Sequence, residues 1–283
     1  MDPDNESDEN WRSWRDEALA ALTQFTLVLE QNDAPATFFV VGKLLERAGE
    51  EIAGLLKDNP AFDIGSHTYS HTDIIDDDPA ALGRFSQELL LTSDLIFEHF
   101  GERPVGFCTP GGHYKGLQGH PGQLKILWDQ GYRYIGSDNS GPPEQWQPSP
   151  MTQPYWYTEE GFPELFEVPG TGWHCNYLFN TGHQNDDWKP APGLPDGTVL
   201  ERLPVTVEEG FEVRSGEFRH CIENHLVYAP SMHPWSVYRF DPELKHVDSL
   251  IRMARAEAVP VVNCRQLYEV YRDAESTTVG RDS

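Results

Sequence analysis

The feature that most constrains the fold is a repeated alternation of amphipathic helix, turn and short apolar strand. Leu19, Leu22, Phe25 and Leu29 recur at helical spacing, Asn32-Asp33-Ala34-Pro35 breaks the pattern, and Thr37-Phe38-Phe39-Val40-Val41 follows as an apolar run. This predicts a helix over 14–30, a turn and a buried strand. The cycle recurs with a helix over 44–57 ended by Asn59-Pro60, a strand over 62–65, a helix over 79–100 ended by Gly101 and a strand over 105–107. A helix over 123–130 stopped by Gly131 and strands over 132–137 and 165–168 come next. A strand over 225–230, a helix over 242–258, a strand over 259–262 and a helix over 265–271 complete the series. Repeated strand–helix units predict an α/β fold around a parallel sheet, closed or distorted into a (β/α) barrel. At 283 residues and 38% hydrophobic, the chain has apolar material for a single domain over residues 1–273. Residues 181–216, rich in Pro, Gly and Asp, read as a long loop or insertion, and 274–283 as a flexible tail.

Acidic residues outnumber basic ones 46 to 21, a formal charge of −25, which argues against attraction to nucleic acid or an anionic membrane. Lysine is scarce beside arginine, six against fifteen, and this excess of carboxylates suits a protein dissolved in concentrated salt, where screening suppresses self-repulsion. No apolar run is long enough to span a bilayer, and Met1-Asp2-Pro3-Asp4 is acidic where an export signal is basic and then apolar, so a cytoplasmic location is expected. Cys108, Cys175, Cys221 and Cys264 form no C-x-x-C pair, so buried free thiols are expected rather than a zinc knuckle or redox dithiol.

The sharpest chemical signal is Gly65-Ser66-His67-Thr68-Tyr69-Ser70-His71, two imidazoles four residues apart directly after a predicted strand. Neutral imidazole is a common ligand for zinc and suits cobalt and nickel, so the pair is a candidate for one divalent ion. The strand Ala36-Thr37-Phe38-Phe39-Val40-Val41-Gly42 precedes it by one helix. Two motifs in this order resemble the core of the polysaccharide deacetylases, carbohydrate esterase family four with nodulation-deacetylase homology. Arg103-Pro104-Val105-Gly106-Phe107-Cys108-Thr109-Pro110-Gly111-Gly112 resembles a further loop of that family, and Ser231-Met232-His233-Pro234 its catalytic-histidine motif. With the acidic composition, a haloarchaeal member is expected.

The resemblance implies a distorted (β/α) barrel with its site at the C-terminal strand ends. It implies a divalent metal, zinc first with cobalt, nickel or manganese as alternatives, bound by Asp4, His67 and His71, with Asp2 as general base and His233 protonating the leaving amine. The first strand should precede Asp2 and Asp4; either the start lies upstream or that strand is lost. Asp138 is the candidate carboxylate beside His233. Pro110, Gly111, Gly112 and His113 are candidates to bind substrate, with a backbone N–H of this loop as a candidate oxyanion donor, and Trp146 and Trp173 to stack on sugar rings. Cys108 departs from the family, which usually has an arginine there to orient the catalytic aspartate; a thiol lacks that fork of donors. The expected function is metal-dependent hydrolysis of carbon–nitrogen bonds other than peptide bonds, as N-acetyl removal from an amino-sugar glycan. The alternatives are a small linear or cyclic amide or imidate, and a non-catalytic glycan-binding relative. The charge pattern makes one prediction of its own: the melting temperature rises from low to molar salt, and a flat or falling profile would mark an ordinary acidic protein.

Overall fold

The residues that build the sheet are the short apolar runs, and they stack side by side. A computed structural model describes residues 8–143, 147–181 and 202–279. After α1 (Asp8–Gln31), the chain runs through β1 (Ala36–Val40), α2 (Gly42–Leu56), β2 (Phe62–Ser66), α3 (Pro79–Phe100), β3 (Gly106–His113), α4 (Pro121–Asp129) and β4 (Tyr134–Asp138). Next come β5 (Tyr155–Tyr157), β6 (Phe162–Glu167), α5 (Cys175–Leu178), α6 (Val207–Glu223), α7 (Pro234–Phe240), α8 (Lys245–Ala256) and α9 (Cys264–Val279). The strand order is β1-β2-β3-β4-β6-β5, parallel except that β5 is antiparallel to β6. The parallel strands therefore all end on one side, where their loops converge.

Local chemistry explains the boundaries. Asp78 caps α3 by accepting from the Ala80 and Ala81 amides, Pro79 pre-sets the first turn, and Gly101 closes the helix in the left-handed region at φ 83°. One apolar layer joins α1 and α2 to the sheet through Phe25, Leu29, Leu45, Ile52 and Leu56. A second, on the side of α3 and α4, holds Phe85, Leu89, Phe107, Leu124 and Ile135.

Several expectations need correction. Residues 225–230 and 259–262 form no strand: in the first, Gln153 Oε1 accepts from the Val227 amide and Thr171 Oγ1 from the Ala229 amide, and in the second the Val259 amide turns back to Ala254 O at 2.8 Å. The sheet is mixed, because β5 runs antiparallel to β6, and among the described residues no ladder joins β1 to β5. The loop predicted over 181–216 gives way to α6 at Val207, capped by Thr206, whose side chain accepts from the Glu209 amide; 182–201 lie outside the described residues. The tail expected from residue 274 is helical as far as Val279. Strand β5 was not foreseen. All four cysteines are free, Cys175 and Cys221 buried, Cys108 and Cys264 partly so. No helix of the described residues is long and apolar enough to cross a membrane.

Asp63, on β2, ties the last helix to the sheet. Its carboxylate accepts from Arg265 Nε at 2.8 Å, from Thr37 Oγ1 at 3.2 Å and from the Tyr134 hydroxyl. Asp63→Ala leaves a buried phenol and a half-buried guanidinium without their acceptor, and the expected loss of unfolding free energy is about 3 kcal/mol. Asp94→Ala, which breaks the exposed pair with Arg103, is expected to cost under about 1 kcal/mol. Chemical denaturation of both variants checks this, and equal losses would remove the special role of Asp63.

Candidate metal centre and adjoining cleft

His67 follows β2 directly, and its amide extends the β1–β2 ladder by donating to Val40 O at 3.0 Å. The loop that carries both histidines is held at two points. The Gly42 and Lys43 amides at the start of α2 donate to Thr68 O and Tyr69 O at 2.9 Å each, and Glu88 on α3 accepts from the Ser70 amide at 2.7 Å and from Ser70 Oγ at 2.9 Å. These contacts hold Thr68 and His71 at φ 58° and 60°, a left-handed conformation that costs a non-glycine residue of the order of 1 kcal/mol. The result brings the two imidazole rings to 4.9 Å between centroids.

His67 Nδ1–H donates to Cys108 O at 2.8 Å. That bond settles the tautomer and leaves the Nε2 lone pair free, the arrangement metal-ligating histidines adopt. Burial, then the neighbouring His71, pushes the His67 ring down to about 3, so it is neutral with its lone pair available. His71, at the surface, is also lowered, by burial first and by His233 among its neighbours. The charge of His233 is felt at both rings, so the structure gathers His67, His71 and His233 into one region. The donor set fits a divalent metal.

His233 caps the start of α7 and faces a second group. Its amide donates to Cys175 Sγ at 3.0 Å, its Nδ1 lies 3.6 Å from that sulfur, and its ring centroid is 4.9 Å from that of His174. His174, Cys175 and His233 each offer one ligand atom, all within 4.8 Å of one another, and this trio can hold a divalent metal. Burial lowers His233 to about 4 and holds His174 well below its ordinary value.

Between the two groups the strand ends interlock. Asn139 Oδ1 accepts from the Gly170 amide at 2.7 Å, and its Nδ2 donates to Gly136 O at 3.1 Å and points at Cys108 Sγ at 3.9 Å. A Cβ on Gly170 would fall 2.1 Å from Asn139 Oδ1 and 2.9 Å from Ser231 Oγ, so only glycine lets these segments meet. Gln147 bridges onward, accepting from the His174 amide at 2.9 Å. Beside this floor, Gly112, His113, Gln118, His120 and Ser140 line an open cleft of about 510 Å³. His113 Nε2 is buried there without a hydrogen-bond partner, while His120 Nδ1 meets Asp77 at 3.2 Å.

The polysaccharide deacetylase profile matches residues 14–134, the segment that carries β1, β2, β3 and both metal-motif histidines. A candidate polysaccharide deacetylase from Mycobacterium smegmatis is similar in structure at a TM-score of 0.64 and 20% identity, over 92% of this chain and 79% of its own. The fold is that of the polysaccharide deacetylases. Puue allantoinase is similar at a TM-score of 0.65 and 17% identity, over 94% of this chain and 76% of its own. A family-four pseudoenzyme from Bacillus anthracis follows at 0.52 and 12%, over 89% and 61%. No curated protein matches the sequence.

Within this deacetylase fold the predicted site residues divide. Pro110, Gly111, Gly112 and His113 sit at the end of β3, and Gly112 and His113 reach the cleft. Asp138 does not partner His233: its Oδ1 accepts from the Lys115 amide at 3.0 Å, and burial raises it to about 6. Trp173 is fully buried in the core and offers no face to a sugar. Asp2, Asp4 and Trp146 lie outside the described residues. Cys108 is no nucleophile, because burial pushes its thiol far up.

Sequence reasoning missed His174 and Cys175 as partners of His233, and it missed Glu167. Glu167 ends β6 fully buried; Oε1 accepts from the Ser137 and Asp138 amides at 2.6 and 2.8 Å, Oε2 from Ser137 Oγ and the Tyr157 hydroxyl at 2.7 and 2.6 Å. Burial still raises it from 4.5 to about 7. Between those values the folded state binds more protons than the unfolded one, so this contribution is complete below about pH 4.5 and is lost as pH rises through 7. Glu167→Gln keeps an acceptor for both amides and has no charge to bury. Its stability relative to wild type is expected to improve by up to about 3 kcal/mol from pH 4.5 to 7. Parallel stability–pH curves for the two proteins would refute this.

Proposed function

We propose that the protein is a metal-dependent hydrolase of carbon–nitrogen bonds other than peptide bonds, with N-acetyl groups of an amino-sugar glycan as its substrate class. The observation that carries the reading is the pinned tautomer of His67 beside His71, with His233 in the same region, at the ends of parallel strands in a deacetylase fold. A divalent ion held by His67 and His71, with Asp4 as third ligand, supplies Lewis acidity toward the amide carbonyl and lowers the pKa of water. Zinc suits this donor set first, with cobalt, nickel or manganese as alternatives.

The chain's own residues do the rest. Cys108 O keeps the His67 ring oriented. Asp2 is assigned the general-base role, and His233 passes a proton to the leaving amine. As a neutral imidazole at working pH, His233 takes up that proton before giving it away. The cleft beside His113 and His120 receives the acyl-bearing end of the substrate.

A second reading keeps this chemistry and moves it to a small linear or cyclic amide or imidate. It is favoured by the modest cleft, by the burial of Trp173, which removes one sugar platform, and by the structural likeness to an allantoinase. Cys108 in place of an arginine, with the likeness to a pseudoenzyme, favours a non-catalytic glycan-binding relative.

The test is metal content by elemental analysis together with acetate release from N-acetylated chito-oligosaccharides, wild type beside His67→Ala. The expected result is bound metal and acetate release in wild type, with metal affinity in the variant reduced by more than about 100-fold and turnover lost with it. Turnover of small cyclic amides alone would move the substrate class to the second reading. Glycan binding without turnover would establish the third, and no metal after reconstitution with zinc or cobalt would overturn the catalytic reading.

A further inference from the structure

We infer that His174, Cys175 and His233 form a second metal site, selective for soft or borderline ions such as zinc, whose occupation withdraws His233 from catalysis. Two observations support it. The Cys175 Sγ to His233 Nδ1 separation of 3.6 Å matches the N···S edge of about 3.5 Å that tetrahedral zinc imposes through its bond lengths to nitrogen and sulfur. The third donor, on His174, completes a set whose atoms all lie within 4.8 Å. The Asn176 amide donates to His174 Nδ1 at 3.3 Å, which places the ring proton on Nε2, so ligation through Nε2 requires the other tautomer and the loss of this bond.

Burial pushes the Cys175 thiol up, and the His233 amide and the charge of Arg214 act against that rise. The His233 amide donates to the sulfur at 3.0 Å. Arg214 is fully buried within range of Cys175; its Nη1 pairs with Glu217 at 3.2 Å, while its Nε and Nη2 have no hydrogen-bond partner. Its charge acts on Tyr228, Glu217 and Cys175 together, and at Cys175 it lowers the cost of losing the thiol proton to a metal. Binding therefore proceeds with loss of the thiol proton to solvent as the metal–sulfur bond forms. An imidazole-imidazole-thiolate set prefers zinc over hard ions such as magnesium or calcium. It shares no ligand with the His67 and His71 pair.

The inhibitory consequence rests on the proposed hydrolase function, but the site does not, so the two are separated by a readout that needs no turnover. Cobalt(II) titrated into the full chain is expected to bind at two sites per molecule, one of them giving the near-ultraviolet thiolate-to-cobalt charge-transfer absorption. That absorption is expected to vanish in Cys175→Ser, to weaken in His174→Gln and to persist in His71→Ala, with far-ultraviolet circular dichroism confirming that each variant is folded. Cobalt bound without charge-transfer absorption in wild type, or absorption that survives Cys175→Ser, overturns the site. Absorption lost in both His71→Ala and Cys175→Ser shows one shared ion and overturns a separate second site. In turnover assays, zinc in excess of the first equivalent is expected to inhibit, and Cys175→Ser to raise the zinc concentration needed by at least about tenfold. Unchanged inhibition in that variant overturns the regulatory part.

Discussion

Parallel strands that fan apart at their ends leave amide groups without a ladder partner, and a buried amide must find an acceptor. At the end of β4 the acceptor is Glu167, which takes the Ser137 and Asp138 amides on a single oxygen. The rest of the site is arranged around that clamp. With β4 stopped there, the chain turns at Asn139, whose amide side chain bridges toward Cys108 on one side and Gly170 on the other. The ends of β3, β4 and β6 are thereby joined without a continuous ladder, and the segment after β6 is directed to His174 and Cys175. The cost is a carboxylate buried with its charge opposed by desolvation, against four hydrogen bonds that retain it.

A chain of net charge −25 here builds a region of neutral imidazoles. Burial lowers His67, His174 and His233 alike, and each keeps a lone pair where a proton would otherwise sit. The arginine expected at position 108 is replaced by a thiol, and the fully buried arginine of this region, Arg214, stands instead beside Cys175 with Glu217.

Much of the fold was legible locally. Asp78-Pro79 and Gly101 mark the two ends of α3 because a cap, a proline and a left-handed glycine act within a turn of the helix they bound. The His67 and His71 pair was legible for the same reason, both residues lying on one short loop after an apolar strand. Residues 225–230 misled, since an apolar run resembles a strand whether its amides meet another strand or the side chains of Gln153 and Thr171.

The sequence by itself determined the order of helices and strands as far as β4, the His67 and His71 pair and the absence of an arginine at position 108, since each is written in neighbouring residues. Only the tertiary structure decided that Cys175 meets His233 across 58 positions, that Glu167 reaches back 30 residues to hold β4, and that Trp173 belongs to the core. Those pairings depend on how the layers pack and where the strands stop, and burial, which sets the state of every ionisable group at the site, exists only once they have packed.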